Sequence, residues 1–321
     1  MTILFDARSA ATLRITGWER YTRSLLGIVC DWNDVAVIAT PTEALIPRLR
    51  SDWITIPAVS RKADLTHFPT FPPAPTNRLR RALFTIHDLV WWRHPELSSR
   101  LGRHYYRRLS AFSASHGYLS TVSRTVRTEI LERYPNATVH VVSPYPQLAQ
   151  QLPVPFSDVT TPFILAVGTI EPRKNLARLT EAFQLSGIAA DFQLVLVGRR
   201  AWGDIPRGVH LAEGVNDGQL RWLMEHAAAL FCPSLYEGFG LTPVEAISLG
   251  TPVFCSDLPI FHETAPQASG YFDPTDIGHI AENLRLAASF SITPRDPCPT
   301  TQYSRERTSA ELRMAYDQCL S

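Results

Sequence analysis

The chain has 321 residues, 45% of them hydrophobic and 19% charged, with a formal net charge of +1. That length suits two ordinary α/β domains. No apolar run approaches the ~18 residues of a bilayer span, which excludes a helical integral membrane protein. The N-terminus enters a strand at once and reads as lacking a signal peptide. Cys30, Cys232, Cys255, Cys298 and Cys319 are scattered, without zinc or disulfide spacing, as expected of a reduced, cytoplasmic protein with no metal site. Charge is uneven along the chain. Residues 1–150 hold 19 Arg+Lys against 11 Asp+Glu, and residues 151–321 hold 12 against 19. A basic first half and an acidic second half imply different partners.

The elements alternate in type. Thr2–Phe5 reads as a strand ending in Asp6-Ala7-Arg8, and the loop Thr16-Gly17-Trp18-Glu19-Arg20 leads to a helix reaching about Cys30. Strands are expected at Val35–Ala39, Ala82–Ile86, Tyr118–Val122 and Thr138–Val142, and helices at Pro95–Ser115 and Arg124–Arg133, the latter capped by Ser123. The strand Ala82–Ile86 stops at His87-Asp88. Proline-rich Pro144–Pro162 reads as an inter-domain linker. Strands then recur at Phe163–Val167, Gln193–Val197, Gly208–Leu211, Ala229–Cys232 and Pro252–Cys255. Helices alternate with them at Asn175–Leu185, Asp217–Ala227, Pro243–Leu249, Asp276–Ala288 and Ser304–Leu320. The pattern predicts an α/β protein of two doubly wound, Rossmann-like domains facing a central cleft. The domains are expected at 1–150 and 151–302, with a C-terminal helix at 303–321 that could fold back on either and is expected on the N-terminal one.

The segment from Leu230 to Ala246 concentrates the chemistry. It runs from a buried strand through Glu237-Gly238-Phe239-Gly240-Leu241-Thr242-Pro243 into a helix carrying Glu245. Thr242 reads as an N-cap, Pro243 as the first helical residue and Glu245 as the acid of a capping box. A glycine-rich turn that opens a helix points bare N–H groups at an anion. Phosphate-binding backbone beside hydroxyl-binding carboxylates suggests a nucleotide sugar. Five other candidates lie just past strand ends. Arg173 and Lys174 are either a solvated helix start or cations for a diphosphate. His87 is either a hydrogen-bonded structural histidine or a group at the reacting centre. Gly168 and Gly198 follow strands in the second half.

These motifs resemble, in order and spacing, the family 4 retaining glycosyltransferases (glycosyl transferases group 1), which have the GT-B fold. The resemblance runs from Phe163 to about Asp276. It rests on Gly168-Thr169-Ile170-Glu171-Pro172-Arg173-Lys174-Asn175, Leu196-Val197-Gly198, Gly214-Val215-Asn216-Asp217, Pro233-Ser234, Glu237 to Leu241 with Glu245, and Asp273-Pro274-Thr275-Asp276. Asp6-Ala7-Arg8, Gly17 and His87-Asp88-Leu89 extend it thinly into the first half.

The resemblance implies roles. His87, Glu237 and Lys174 would be catalytic: His87 beside the transferred sugar, Glu237 on its hydroxyls, Lys174 on the diphosphate with Arg173. Glu245 would take the ribose hydroxyls. Gly238, Phe239, Gly240, Leu241 and Thr242 would meet the phosphates through their backbone. Gly17, Gly168, Gly198 and Arg199 would line the donor site, and Val215 and Asp217 would lie by the base. An arginine the family often carries near Gly168-Thr169 is missing, and Glu19 stands where a second glycine is common. The implied chemistry needs no cofactor beyond a nucleoside-diphosphate sugar as co-substrate. With no DxD pair in the sequence, it also needs no metal.

The version of the motif at Thr169–Asn175 is similar to that of mannosyltransferases of surface-polysaccharide assembly, so GDP-mannose is the first choice of donor. A UDP- or dTDP-sugar, a non-hydrolysing epimerase, and a weakly active sugar-binding protein of the same fold are the alternatives. The acceptor is expected to be a glycan or lipid-linked glycan. The basic, aromatic run Ser99–Arg108, with Arg78, Arg80 and Arg81, suggests peripheral contact with the anionic inner face of a membrane. No recognition motif for nucleic acid is present.

Overall fold

Short strands that are apolar on both faces are stable only where helices cover both sides of the sheet, and both halves of the chain are built that way. A computed structural model describes residues 2–11, 17–39, 55–70, 81–159, 162–199, 207–290 and 302–321. The chain divides into two units, Met1–Tyr145 with Gln302–Ser321, and Pro146–Thr301.

The first unit holds a six-stranded parallel sheet of order β2-β1-β3-β4-β5-β6. Its strands are β1 (Ile3–Asp6), β2 (Val35–Ile38), β3 (Leu65–Phe68), β4 (Ala82–Ile86), β5 (Tyr118–Thr121) and β6 (Val139–Val141). Helices Gly17–Val29, Arg100–His116 and Arg124–Arg133 connect them. Ser123 caps the last of these, its side chain accepting from Val126 N. The final helix, Arg305–Leu320, belongs to this unit. It buries Leu312, Ala315, Tyr316 and Cys319, and Tyr316 bonds to His67 in β3 at 2.8 Å.

Strand β3 is not expected from the sequence because Thr66 and His67 interrupt the apolar character of Leu65–Phe68. The protein makes that histidine a core residue by giving both ring nitrogens partners, Tyr316 and, at 3.3 Å, Thr85. The first loop also differs from expectation. The helix begins at Gly17, so Gly17, Trp18 and Glu19 form its first turn rather than a loop, and Glu19 lies where a carboxylate suits the helix dipole.

The second unit repeats the plan with order β12-β11-β10-β7-β8-β9. Here β7 is Phe163–Val167, β8 Gln193–Val197, β9 His210–Ala212, β10 Ala229–Cys232, β11 Val253–Ser256 and β12 Gly270–Phe272. Alternate residues divide between two cores. Leu165, Val195 and Leu230 face one helix layer, while Ile164, Leu194 and Phe231 face the other. The stretch read as a linker is largely part of this unit. Leu148, Phe156 and Val159 are buried in its core, and Val154 N donates to Gly218 O at 3.0 Å. Strand β12 and the helix Pro259–Thr264 were not expected; both are too short to carry a periodic signal.

Candidate functional site

In a doubly wound sheet the crevice lies at the carboxyl ends of the strands where the order reverses. In the second unit that point falls between β7 and β10. The turns leaving these strands carry Gly168–Asn175 and Pro233–Gly240.

The first turn is fixed by its own sequence. Pro172–Lys174 forms a single 3-10 turn closed by Asn175, the only described non-glycine residue with positive φ (56°). Asparagine tolerates this left-handed conformation better than most residues. Its amide Nδ2 then donates to Pro233 O at 3.1 Å and Pro274 O at 2.8 Å. One side chain thus ties the turns after β7, β10 and β12 together. The sequence reading made Asn175 the first residue of a helix; the Lys-Asn pair just before an apolar periodic run was the signal for a left-handed turn.

Glycines bring the strand ends close. A Cβ on Gly198 would lie 1.9 Å from Gly168 O, so only glycine permits that approach. Lys174 runs across Gly168, its Cε 3.1 Å from where a Cβ would stand. The turn after β10 returns Glu237 to the same place. Lys174 Nζ donates to Glu237 Oε1 at 2.6 Å, and Ser234 Oγ to the same oxygen at 2.8 Å. Arg173 Nη1 donates to Glu237 Oε2 at 2.8 Å and to Tyr236 O at 3.1 Å. The other edge of the guanidinium binds Glu171 Oε1, from Nη2 at 2.8 Å and Nε at 3.1 Å. Burial alone would push the Glu237 carboxyl up, but the two cations overcome this and hold it at about 2. Glu171 and Ser234 were missed as site residues, because nothing in the sequence marks which neighbours a buried carboxylate will use.

The helix after this turn starts earlier than expected. It spans Leu241–Ser248, with Gly240 at the N-cap in the left-handed region (φ 79°) and no side-chain cap. Thr242 is therefore the second helical residue and Glu245 the fifth, and neither forms the expected capping box. Glu245 is buried, 3% exposed. A Cβ on Gly240 would meet Phe261 Cε1 at 2.6 Å. Phe239 is buried, and its carbonyl accepts from Thr264 Oγ1 at 2.8 Å. This leaves Leu241 and Thr242 as the first N–H groups of an uncapped helix.

A capping box does form, but elsewhere. Asn216 and Gln219 exchange side-chain to backbone bonds at the start of the helix Asp217–His226. This fixes Asp217 at its first position. Val215 is half-buried against the core. Arg199 is exposed, and its carbonyl accepts from Ile170 N at 2.9 Å. Gly168, Gly198, Arg173, Lys174 and Glu237 thus meet directly. Arg199, Val215 and Asp217 share the carboxyl edge of the sheet with them.

The first unit places its own candidates at one strand edge. Its order reverses between β1 and β3. His87 follows β4 and is buried, 6% exposed. Its Nε2 donates to Pro69 O at 2.8 Å, which leaves Nδ1 as the acceptor nitrogen when the ring is neutral. Burial lowers its pKa to about 4, against the opposing pull of the Pro69 carbonyl. Trp18, next to Gly17, stacks on the imidazole at 5.5 Å and 20°, and Tyr21 meets it edge-on at 4.9 Å. Asp88 Oδ1 accepts from Val90 N at 3.2 Å, which caps the next turn, while Pro69 sets the His87 tautomer. Among the described residues nothing lies within 4 Å of where a Cβ on Gly17 would stand.

Comparison with known proteins decides what these elements belong to. A model of the family described as glycosyl transferases group 1 matches residues 150–296. O-antigen chain mannosyltransferase B of Escherichia coli is 31% identical over 270 residues, 75% of this chain and 71% of that protein. The chain belongs to the group 1 glycosyl transferases. O-antigen chain mannosyltransferase RfbU of Salmonella typhimurium is 28% identical, over 62% of this glycosyltransferase and 58% of its own length. The fold matches solved structures at low identity. Sucrose-phosphate synthase from Thermosynechococcus elongatus superposes with a TM-score of 0.67 at 17% identity, covering 100% of this chain and 96% of that one. WaaG, a glycosyltransferase involved in lipopolysaccharide biosynthesis, gives 0.64 at 17% over 99% and 95%. Both domains of this glycosyltransferase have the doubly wound α/β architecture expected of the GT-B fold. Among the described residues no helix is long and apolar enough to cross a membrane.

Proposed function

We propose that this glycosyltransferase moves a mannosyl group from GDP-mannose to a surface-polysaccharide or lipid-linked glycan acceptor, with retention and without a metal. The observation that carries the reading is Glu237, a carboxylate kept ionised by two cations at a switch point, beside an uncapped helix start. An ionised acceptor with two fixed oxygens suits sugar hydroxyls, and Lys174 and the N–H groups of Leu241 and Thr242 suit a diphosphate. As the bond to the leaving phosphate breaks, charge builds on the diphosphate. Lys174 is assigned to neutralise it. Buried Glu245 is assigned to the ribose. His87, neutral and with Nδ1 open as an acceptor, is assigned to a hydroxyl of the transferred sugar. Mannose as the sugar is supported by the relatives, several of which are named mannosyltransferases.

The test is incubation with GDP-mannose and a lipid-linked acceptor. GDP release that requires acceptor, an α-linked mannose in the product and undiminished rate in EDTA are expected. Acceptor-independent turnover to a different sugar nucleotide would make the protein an epimerase instead.

The lipid side of the acceptor implies work at the inner face of a membrane. Support comes from the helix Arg100–His116, where Leu101 is 86% and Tyr105 51% exposed beside exposed Arg100, His104 and Arg108. Arg78 and Arg80 lie outside the described residues; the Arg81 guanidinium is spent on the Cys319 and Leu320 carbonyls. Co-sedimentation with anionic vesicles at low salt, and none with neutral vesicles, is the expected result.

A further inference from the structure

Arg173 and Lys174 are adjacent cations, and a resemblance alone gives both to the diphosphate. The structure separates them. Four of the five guanidinium N–H groups of Arg173 already point at protein oxygens: two at Glu171 Oε1, one at Glu237 Oε2 and one at Tyr236 O. Its own carbonyl accepts from Leu235 N at 2.9 Å, and Lys174 N donates to Glu171 O at 3.0 Å. The guanidinium is thus a bridge between the turn after β7 and the turn after β10. Lys174 is different. Its flexible ammonium makes one bond among the described residues, to the other oxygen of the same carboxylate, Oε1, and an ammonium is a point charge that reorients without a planar fork to satisfy.

We infer that Arg173 is a positioning residue that fixes Glu237, held from behind by Glu171, and that Lys174 alone of the two binds the diphosphate. The inference rests on the donor-site reading above. The physical ground is the geometry of the fork. An Arg–carboxylate contact locks orientation as well as charge, and Glu237 must present its oxygens to a sugar in one orientation. Turning Arg173 toward a phosphate would break its bonds to Glu171, Glu237 and the Tyr236 carbonyl. It would also leave Glu237, which burial disfavours as an anion, with one cation instead of two. Glu171 keeps the guanidinium in place and balances its charge, so the four side chains Glu171, Arg173, Lys174 and Glu237 sum to zero before donor arrives.

The test measures binding of GDP, UDP and dTDP by calorimetry to the parent chain and to Arg173→Gln, Arg173→Lys, Glu171→Gln and Lys174→Ala, and steady-state transfer for each. With the nucleotide the parent binds best, Lys174→Ala should lose about tenfold or more in affinity, since a charge-assisted contact to phosphate is gone. Arg173→Gln and Glu171→Gln should stay within about twofold in that affinity while kcat/KM for the nucleotide sugar falls by about tenfold or more. The acid limb of the Arg173→Gln rate profile should also move upward, because Glu237 loses a cation that holds its proton off. Arg173→Lys keeps the charge but not the fork; its acid limb should stay low while kcat falls. Equal losses of nucleoside-diphosphate affinity in the Arg173 and Lys174 variants would overturn the inference and leave the donor site standing. An unchanged affinity in Lys174→Ala, or no binding of any of the three nucleotides, would overturn the donor site itself. If Arg173→Gln does not fold, Arg173→Lys decides by the same comparison.

Discussion

At the scale of single residues, the first unit carries a pH dependence that its buried histidines impose. His67 is fully buried, and burial, with the nearby His87 adding to it, lowers its pKa to about 3. His87 lies at about 4. Both are neutral when folded, whereas in the unfolded chain they titrate near 6.5. Below that pH the unfolded state therefore binds more protons, and stability rises with pH across the window. Denaturant midpoints should fall as pH drops from about 6.5 toward 4, and His67→Gln should flatten that slope even where it lowers the midpoint. A variant slope equal to the parent's would show that other groups drive acid sensitivity. Tyr316→Phe tests the same contact from the other side. It leaves His67 Nδ1 buried without its partner and should cost about 1–3 kcal/mol in chemical denaturation.

Among elements, close strand ends matter more than helix propensity. Gly198 sits against Gly168 with no room for a side chain. Gly198→Ala must push β7 and β8 apart at the site or fail to fold, and should cost more than about 3 kcal/mol, beyond the range of ordinary substitutions. Gly17→Ala is the contrast. It lies at the start of a helix, with no described residue within 4 Å of where its Cβ would stand, so alanine should be neutral or stabilising by up to about 1 kcal/mol. If Gly17→Ala nonetheless abolishes donor binding at unchanged stability, the close approach of a ligand is what glycine permits there. Replacing Ser123 by Ala removes the cap of Arg124–Arg133 and should cost about 1 kcal/mol. Thr242→Ala should cost much less, since Thr242 is inside its helix and caps nothing.

For the whole molecule, the C-terminal helix completes the first unit after the chain has passed through the second. Thr308 Oγ1 donates to Ser143 O at 2.7 Å, and Glu311 accepts from Ser143 N at 2.8 Å. A chain ending at residue 301 should lose hydrogen-exchange protection in β1–β6 while β7–β12 keep theirs. Protection retained in both units would mean that the helix is an accessory. The sequence alone decided much of this protein. Alternation of apolar runs with helical periods, turn glycines and the ordered motifs from Gly168 to Glu245 were enough for two doubly wound sheets and for the glycosyltransferase family, because strand and helix periods are local. Local patterns also placed Arg173, Lys174, Glu237 and Glu245 near strand ends. They could not say which cation meets which carboxylate, that Asn175 rather than a loop sequence ties three turns together, or that the helix carrying Glu245 begins at Leu241. The Asn175 ties join residues 58 and 99 positions apart, and Lys174 and Glu237 meet across 63; a linear pattern carries no distance of that kind. The same holds for His67, polar in sequence and core in the fold, whose partner stands 249 residues away. Tertiary packing supplied that partner, and with it the reason a histidine is tolerated in the centre of a sheet.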